Sequence, residues 1–322
     1  MRPLRSSAAF AALLALLAGP AAGQGSEGAL LLLLPTGAQA VGMGQAMVAA
    51  TPGSEGIWWN PSAIAGQKKR ELAIHHSTTI VGVGDALTIV FPSRARGTAA
   101  LSLNILNLGE QQITDDLGNV IGVILPRHIV LAGTYAARLG KKLRLGLSQK
   151  VVQLRVDCSG QCATVGTLSE STSATDLGAQ YEIASGTPLT FGIAIRNLGG
   201  KLNSGGTDEQ TPMPTQVEVG ALYRLRFIDR YVKDIEVMAA ASLLDSRSFG
   251  GRAVRLGTDV IYQGKVHLRA GFVGHDRRAD TSASLGFGLE SGPFVFDIAR
   301  VFGGIPADDG QQPIYISLRY LF

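Results

Sequence analysis

The chain has only two cysteines, two tryptophans and thirteen prolines in 322 residues, and 17% of its residues are charged. Each scarcity excludes something. A formal charge of +4, with the basic residues spread along the chain, gives no footprint for nucleic acid. After the first 23 residues no stretch approaches about eighteen consecutive apolar positions, so no transmembrane helix is expected. There is no Gly-x-Ser-x-Gly elbow and no spaced set of Ser, His and acid, so the chain does not read as an enzyme. Gly42-Met43-Gly44 follows a leucine run, but the third glycine of a dinucleotide fingerprint is missing and no βαβ unit follows, so no cofactor is expected. No metal site is expected either. His75 and His76 are adjacent on a strand and face opposite sides, and the pairs Asp115-Asp116 and Asp308-Asp309 lack the spaced oxygens of a calcium loop. No long Pro/Ser or charged linker divides the chain. Its length suits two soluble domains or one large barrel.

What is present favours the barrel. The composition is 46% hydrophobic with 41 glycines and a mean hydropathy of +0.20, as expected of strands that alternate between lipid and lumen, where glycine tolerates strong coiling and close backbone approach. Residues 1–23 read as a secretory signal peptide: Arg2 and Arg5, an apolar run from Ala8 to Ala18, and small residues at Ala21 and Gly23. Export implies an oxidising compartment, where Cys158 and Cys162 can close a small loop disulfide; two free thiols are the alternative, and no histidine lies near to make a metal site.

From Glu71 to Phe322 the sequence divides into fourteen alternating segments. The expected fold is all-β, a 14-stranded antiparallel transmembrane barrel over 71–322. Tight links such as Gly140-Lys141-Lys142 and Gln263-Gly264 alternate with long polar ones such as Leu108 to Arg127 and Leu198 to Pro214. That is the asymmetry of outer-membrane barrels, whose short turns are periplasmic. The first long-end link, Val81 to Gly84, is short and departs from it. In the last segment Ile314, Ile316, Leu318, Tyr320 and Phe322 share one face, and Tyr315, Ser317 and Arg319 the other. A strand ending on Phe322, with Tyr320 before it, resembles the carboxy-terminal signal by which bacterial barrels are handed to their insertion machinery.

A charge facing lipid costs about 2 to 4 kcal/mol at midplane, so Arg255, Asp259, Lys265 and Arg269 are expected to point inward. Glu218, Arg224, Asp297, Arg319, Arg196, Arg144 and Lys150 fall on the same parity in their strands. Such a lumen could select a solute, or its charges could simply pair and stiffen the barrel.

Residues 24–70 precede the barrel. The run from Gly37 to Ala49 (GAQAVGMGQAMVA), followed by Trp59-Asn60-Pro61-Ser62-Ala63-Ile64, resembles the amino-terminal signature of the PorV/PorQ branch of FadL-like barrels. The likeness implies a hatch folded inside the barrel, with Asn60-Pro61-Ser62 matching an Asn-Pro-Ala motif. It also implies passive passage of a small hydrophobic compound across the outer membrane of a diderm bacterium, in contact with its lipid. Trp58, Trp59, Asn60, Pro61 and Ser62 are the candidate gate or ligand-contact residues, and Arg255, Asp259 and Arg269 the lumen polar groups. The tryptophans could line an apolar pocket, pack the hatch against the wall or sit at the membrane interface. A PorV-like part in protein secretion, with secreted cargo as partner, and a purely structural barrel are the alternatives.

Overall fold

A computed structural model describes residues 29–93, 95–161, 168–183, 189–203, 210–228, 232–246, 251–276, 281–304 and 312–322. The signal-peptide segment 1–23, Cys162 and Asp308-Asp309 lie outside them. Fourteen antiparallel strands close into a barrel. They are β1 (Glu71–Thr78), β2 (Val83–Ser93), β3 (Gly97–Asn107), β4 (Val120–Leu139), β5 (Leu143–Gly160), β6 (Leu168–Glu182) and β7 (Leu189–Gly199). The second half comprises β8 (Gln216–Arg224), β9 (Ile235–Ser246), β10 (Gly251–Tyr262), β11 (Val266–His275), β12 (Ser282–Ser291), β13 (Phe294–Gly303) and β14 (Ile314–Leu321).

Each strand pairs with its sequence neighbours, and β1 pairs with β14 from Glu71↔Leu321 to Thr78↔Ile314. Arg70 and Phe322 exchange both backbone hydrogen bonds at 2.9 Å, so the end of the chain is stitched to the start of the wall. The ladder of the fourteen strands closes on itself, which is the condition for a sheet to cross lipid.

The two-residue period sets the faces as expected. Val254, Leu256 and Tyr262 on β10 and Leu268 and Phe272 on β11 are exposed, while Arg255, Asp259 and Arg269 are buried inside. On β14, Tyr315, Ser317 and Arg319 are buried and Ile314, Leu318 and Tyr320 exposed. Outward aromatics gather at the short-turn end, including Phe91, Tyr135, Tyr181, Tyr262, Phe294 and Tyr320. Such a ring suits a membrane interface, where an amphipathic ring meets both lipid and water. Phe294, Tyr320 and Phe322 stack in series there, with centroids 5.1 and 5.4 Å apart.

Two expectations need correction. Lys265 does not point inward: it sits in the turn before β11, exposed, because the strand begins only at Val266. The long links from Leu108 and from Leu198 are not wholly loop. Gln111–Thr114 pairs with the upper part of β4, and Lys201–Asn203 pairs with Gln210–Pro212. The wall is therefore uneven: β4 and β5 run for 20 and 18 residues, while β1 and β14 run for 8 each.

Inside the barrel lies the segment from Ala29 to Gly66, folded as short turns at Leu30–Leu33, Ala38–Gly42, Gly53–Glu55, Gly56–Trp59 and Pro61–Ile64. Ala40, Met47, Ile57, Trp59 and Ile64 are at most 2% exposed, so the main apolar core is this plug against the lumen face of the wall.

Candidate functional site

The plug is fixed through its backbone. Asn60 Nδ2 donates to the Val48 carbonyl at 2.6 Å and to the Ala179 and Ile193 carbonyls of β6 and β7 at 3.3 Å. Its Oδ1 accepts from Ser62 N at 3.1 Å and Ser62 Oγ at 2.7 Å, capping the turn that Pro61 opens with its fixed φ. Serine here adds a bond that alanine could not make. From the wall, Gln180 Nε2 donates to the Ala50 carbonyl at 2.7 Å and Arg319 Nη1 to the Pro52 carbonyl at 2.7 Å. Ser317 Oγ accepts from Ala38 N at 2.8 Å, and Glu71 accepts from Ser54 N at 3.1 Å. Glu55, fully buried within the plug, accepts from Ala40 N at 3.0 Å, and burial pushes its carboxyl up to about 7.

These contacts need close approach of two backbones, and inward-facing wall glycines permit it. A methyl group on Gly271 or Gly257 would overlap the backbone of Met43 and Gly44; one on Gly192 would overlap Val48, and one on Gly146 would overlap Pro61 and Ser62. The plug thus lies in a groove that follows the wall from β5 to β11. Sequence reasoning took the glycines as allowing strong coiling and close backbone approach, without placing them against the plug. Their shared parity with Arg144, Arg196, Arg255 and Arg269 was the available signal.

On the long-loop side of the plug, a break in the wall builds a small site. The pairing of β6 with β7 shifts at Asp176, and Asn197 takes a left-handed backbone (φ 59°). Arg196 and Asn197, consecutive in sequence, are therefore both buried inside, as a β-bulge allows. Asp176 Oδ1 accepts from Asn197 N at 2.8 Å, and Lys150 Nζ reaches Asp176 at 2.6 Å and Asn197 Oδ1 at 3.0 Å. Glu218 binds Arg196 at 3.1 Å and Arg255 at 2.9 Å, and accepts from Ser242 Oγ at 2.7 Å. The two guanidiniums lie over the Trp59 ring, 5.3 and 5.5 Å from its centroid, and Trp59 Nε1 donates to the Thr36 carbonyl at 3.1 Å. Trp59 is thus a pin between plug and wall. Trp58 borders the space above, together with Leu31 to Leu34, and the free volume there is about 20 Å³, room for about one water.

Below the plug the character changes. A cavity of about 330 Å³ opens at the short-turn end, lined by Arg138, Arg144, Arg319, Glu71, Glu290 and Gln67 among others. Arg269 joins Asp259 at 3.0 Å and Asp297 at 2.6 Å, and Arg319 joins Asp297 at 3.0 Å. These charges pair from strand to strand between β10 and β14, which fits a rigid filling of the lumen better than a free ionic lining.

The structure thus brings Trp58 and Trp59 together with Arg255, sets Asn60, Pro61 and Ser62 against β5 to β7, and places Asp259 and Arg269 nearer the short-turn end than Arg255. Arg196, Lys150 and Glu218, expected only as lumen residues, prove to be part of the Trp59 site. Cys158 is disulfide-bonded; its expected partner Cys162 lies outside the described residues. His75 is buried and His76 exposed, as the strand period requires.

Fold and site define a transmembrane β-barrel closed by an internal plug. No family model matches the chain, and no curated protein matches it in sequence. Solved structures do. The toluene transporter TodX of Pseudomonas putida is 14% identical with a TM-score of 0.60, over 92% of this chain and 98% of that one. The toluene transporter TbuX of Ralstonia pickettii is 14% identical with a TM-score of 0.56, over 89% and 98%. A FadL homologue of Pseudomonas aeruginosa is 13% identical with a TM-score of 0.55, over 89% and 98%. At these identities the likeness is one of fold.

Proposed function

We propose that the protein is an outer-membrane channel that lets a small, mainly hydrophobic compound cross passively, and that it belongs to the PorV/PorQ branch of FadL-like barrels. The observation that carries the reading is the contrast across the plug. On one side leucines and tryptophans cover a space of only about 20 Å³ over a buried set of ion pairs; on the other, a cavity of about 330 Å³ is lined by charges, with a plug between them held by backbone contacts to the wall on several strands. An open aqueous pore has no use for this arrangement, whereas a barrel that admits an apolar solute and keeps ions out requires it. The fold shared with toluene transporters supports the same reading. The run from Gly37 to Ala49 and the Asn60-Pro61 motif support the branch assignment. The aromatic ring at the short-turn end suits the periplasmic interface, and the signal-like residues 1–23 suit export.

Diderm cells carrying the protein should accumulate labelled toluene faster than cells without it. Equal rates would remove the transport reading.

A second reading draws on the tall side of the rim. β4 and β5 and the hairpin of Gln111–Thr114 rise well above β1 and β14 and offer a surface for a secreted protein, as a PorV-like secretion barrel would need. Co-purification of exported cargo, lost when 111–127 is deleted, would favour it over transport.

A further inference from the structure

The two rims of the barrel differ in charge. At the short-turn end, between the start of β1 and the turn that joins β4 to β5, Lys68, Lys69, Arg70, Arg96, Lys141 and Lys142 are all exposed, and among the described residues none has an acidic partner. Arg138 adds to them: its partner Glu182 lies 3.8 Å away and is already bound by Arg144. At the long-loop end the signs mix, with Glu110, Asp116 and Asp276 exposed alongside Arg127, Lys201 and Arg252. The positive excess therefore belongs to one arc of one rim.

The basic segments form a single surface. Gly66 lies on the Arg138 side chain, where an added methyl group would come within 2.7 Å of Cδ. The Tyr135 hydroxyl donates to the Arg96 carbonyl, and Arg138 Nη2 donates to the Lys141 carbonyl at 3.3 Å. Strands β1 to β5 follow one another around the wall, so the cations line a continuous stretch of it.

Depth decides what meets them. Arg70 is bonded through its backbone to Phe322, whose ring stacks on Tyr320, and the Arg96 carbonyl is bonded to Tyr135, so both residues stand at the level of the outward aromatic ring. Arg138 is three residues beyond Tyr135, about 10 Å along the strand and about 7 Å toward water once the strand tilt is allowed for. The headgroup layer occupies about 5 to 7 Å on each side of the hydrocarbon core, so the arc lies among phosphates. Lys and Arg lay their apolar stems along such a boundary and place the charge beyond it. A soluble acidic protein would meet a surface that stands clear of the membrane, whereas these charges begin at the membrane's own level.

We propose that this arc binds the headgroups of anionic phospholipids in the periplasmic leaflet, phosphatidylglycerol being the simplest. The proposal rests on the outer-membrane reading, in which the short turns face the periplasm. Lys68, Lys69 and Arg70 lie on the stretch that joins the plug to β1, so the same contact holds that stretch at the membrane surface.

The full-length protein is reconstituted in phosphatidylcholine vesicles doped with spin-labelled phosphatidylglycerol or spin-labelled phosphatidylcholine, and the motionally restricted fraction of each label gives their relative association. The anionic lipid should associate about threefold or more strongly, and the ratio should fall toward one in about 1 M salt, where the screening length shrinks to about 3 Å. Combining Lys68→Gln, Lys69→Gln, Lys141→Gln and Lys142→Gln should bring the ratio close to one; all four positions are exposed, so the barrel should fold, as circular dichroism will check. Arg127→Gln with Lys201→Gln, at the other rim, should leave the ratio unchanged. Equal association of the two lipids with the unaltered protein would overturn the proposal, and so would a preference that survives the four substitutions or is lost equally in the control pair. In intact cells a membrane-impermeant amine reagent should leave Lys141 and Lys142 unmodified; their modification would place the arc at the cell surface and overturn the periplasmic assignment. Toluene uptake tests the channel reading separately, so the failure of one does not decide the other.

Discussion

Asn60 Nδ2 lies 2.6 Å from the Val48 carbonyl, so the two limbs of the plug are tied to each other at the level where each meets the wall. The same amide reaches carbonyls of β6 and β7, and its oxygen caps the turn at Ser62. One side chain therefore serves three backbones.

Asn60→Ala should leave the Ser62 N–H without a partner, at a cost of about 1 to 3 kcal/mol, and the Val48 carbonyl with Gln180 Nε2 alone at 3.2 Å. The barrel should still assemble, since none of its ladder bonds is lost. The plug should loosen, seen as faster hydrogen exchange over 46–64 and as intermittent ion conductance in planar bilayers. Native exchange rates in the variant would show that the plug is held elsewhere.

Gly271→Val should unseat the plug at Met43 and Gly44, because the new side chain meets backbone that cannot turn aside. Gly133→Val is the control: Gly133 is exposed on the outer face of β4, and a methyl group there meets nothing within 4 Å. The first variant should raise ion conductance severalfold and the second should leave it unchanged, with both barrels folded by circular dichroism.

The wall was legible in the sequence because lipid enforces the period of two. The segment from Gly97 to Asn107 was read at its true bounds, and the inward Arg255 and Asp259 followed from parity alone. Above the membrane that constraint lapses, so the upper part of β4 from Val120 read as loop. The bulge at Arg196 and Asn197 was not legible either. Two consecutive buried polar residues break the parity, and what stabilises them is the Asp176 and Lys150 side chains of two other strands. The motif Asn60-Pro61 could be recognised, but its partners Val48, Ala179 and Ile193 are distant in sequence and contribute only carbonyls, which no residue type announces.

Glu55 supplies a pH dependence. Burial raises its carboxyl from 4.5 in the open chain to about 7 in the folded plug, so the seated plug holds a proton that the released plug gives up earlier. Its contribution to seating is fully present below pH 4.5 and declines as pH rises through about 7. Hydrogen-exchange protection of 38–42 should fall over that window, and Glu55→Gln, which cannot ionise, should flatten the profile.

Removing Phe322 should impair assembly more than the loss of one residue suggests. It takes away both backbone bonds to Arg70 at the barrel seam and the stacking partner of Tyr320. The yield of folded barrel in the outer membrane should drop several-fold, while the Trp59 site in the barrels that do form should stay unchanged by fluorescence.

The central claim is that the barrel passes a small apolar solute while its plug stays shut to ions. The most direct test measures both in the same asymmetric vesicles with a lipopolysaccharide outer leaflet, which by itself slows apolar solutes. The account predicts toluene flux about tenfold or more above protein-free vesicles with ion conductance at the protein-free level. Conductance should appear when the plug is removed by deleting Gly37 to Ala65. Toluene flux no faster than in protein-free vesicles, or flux that appears only together with ion conductance, would contradict it.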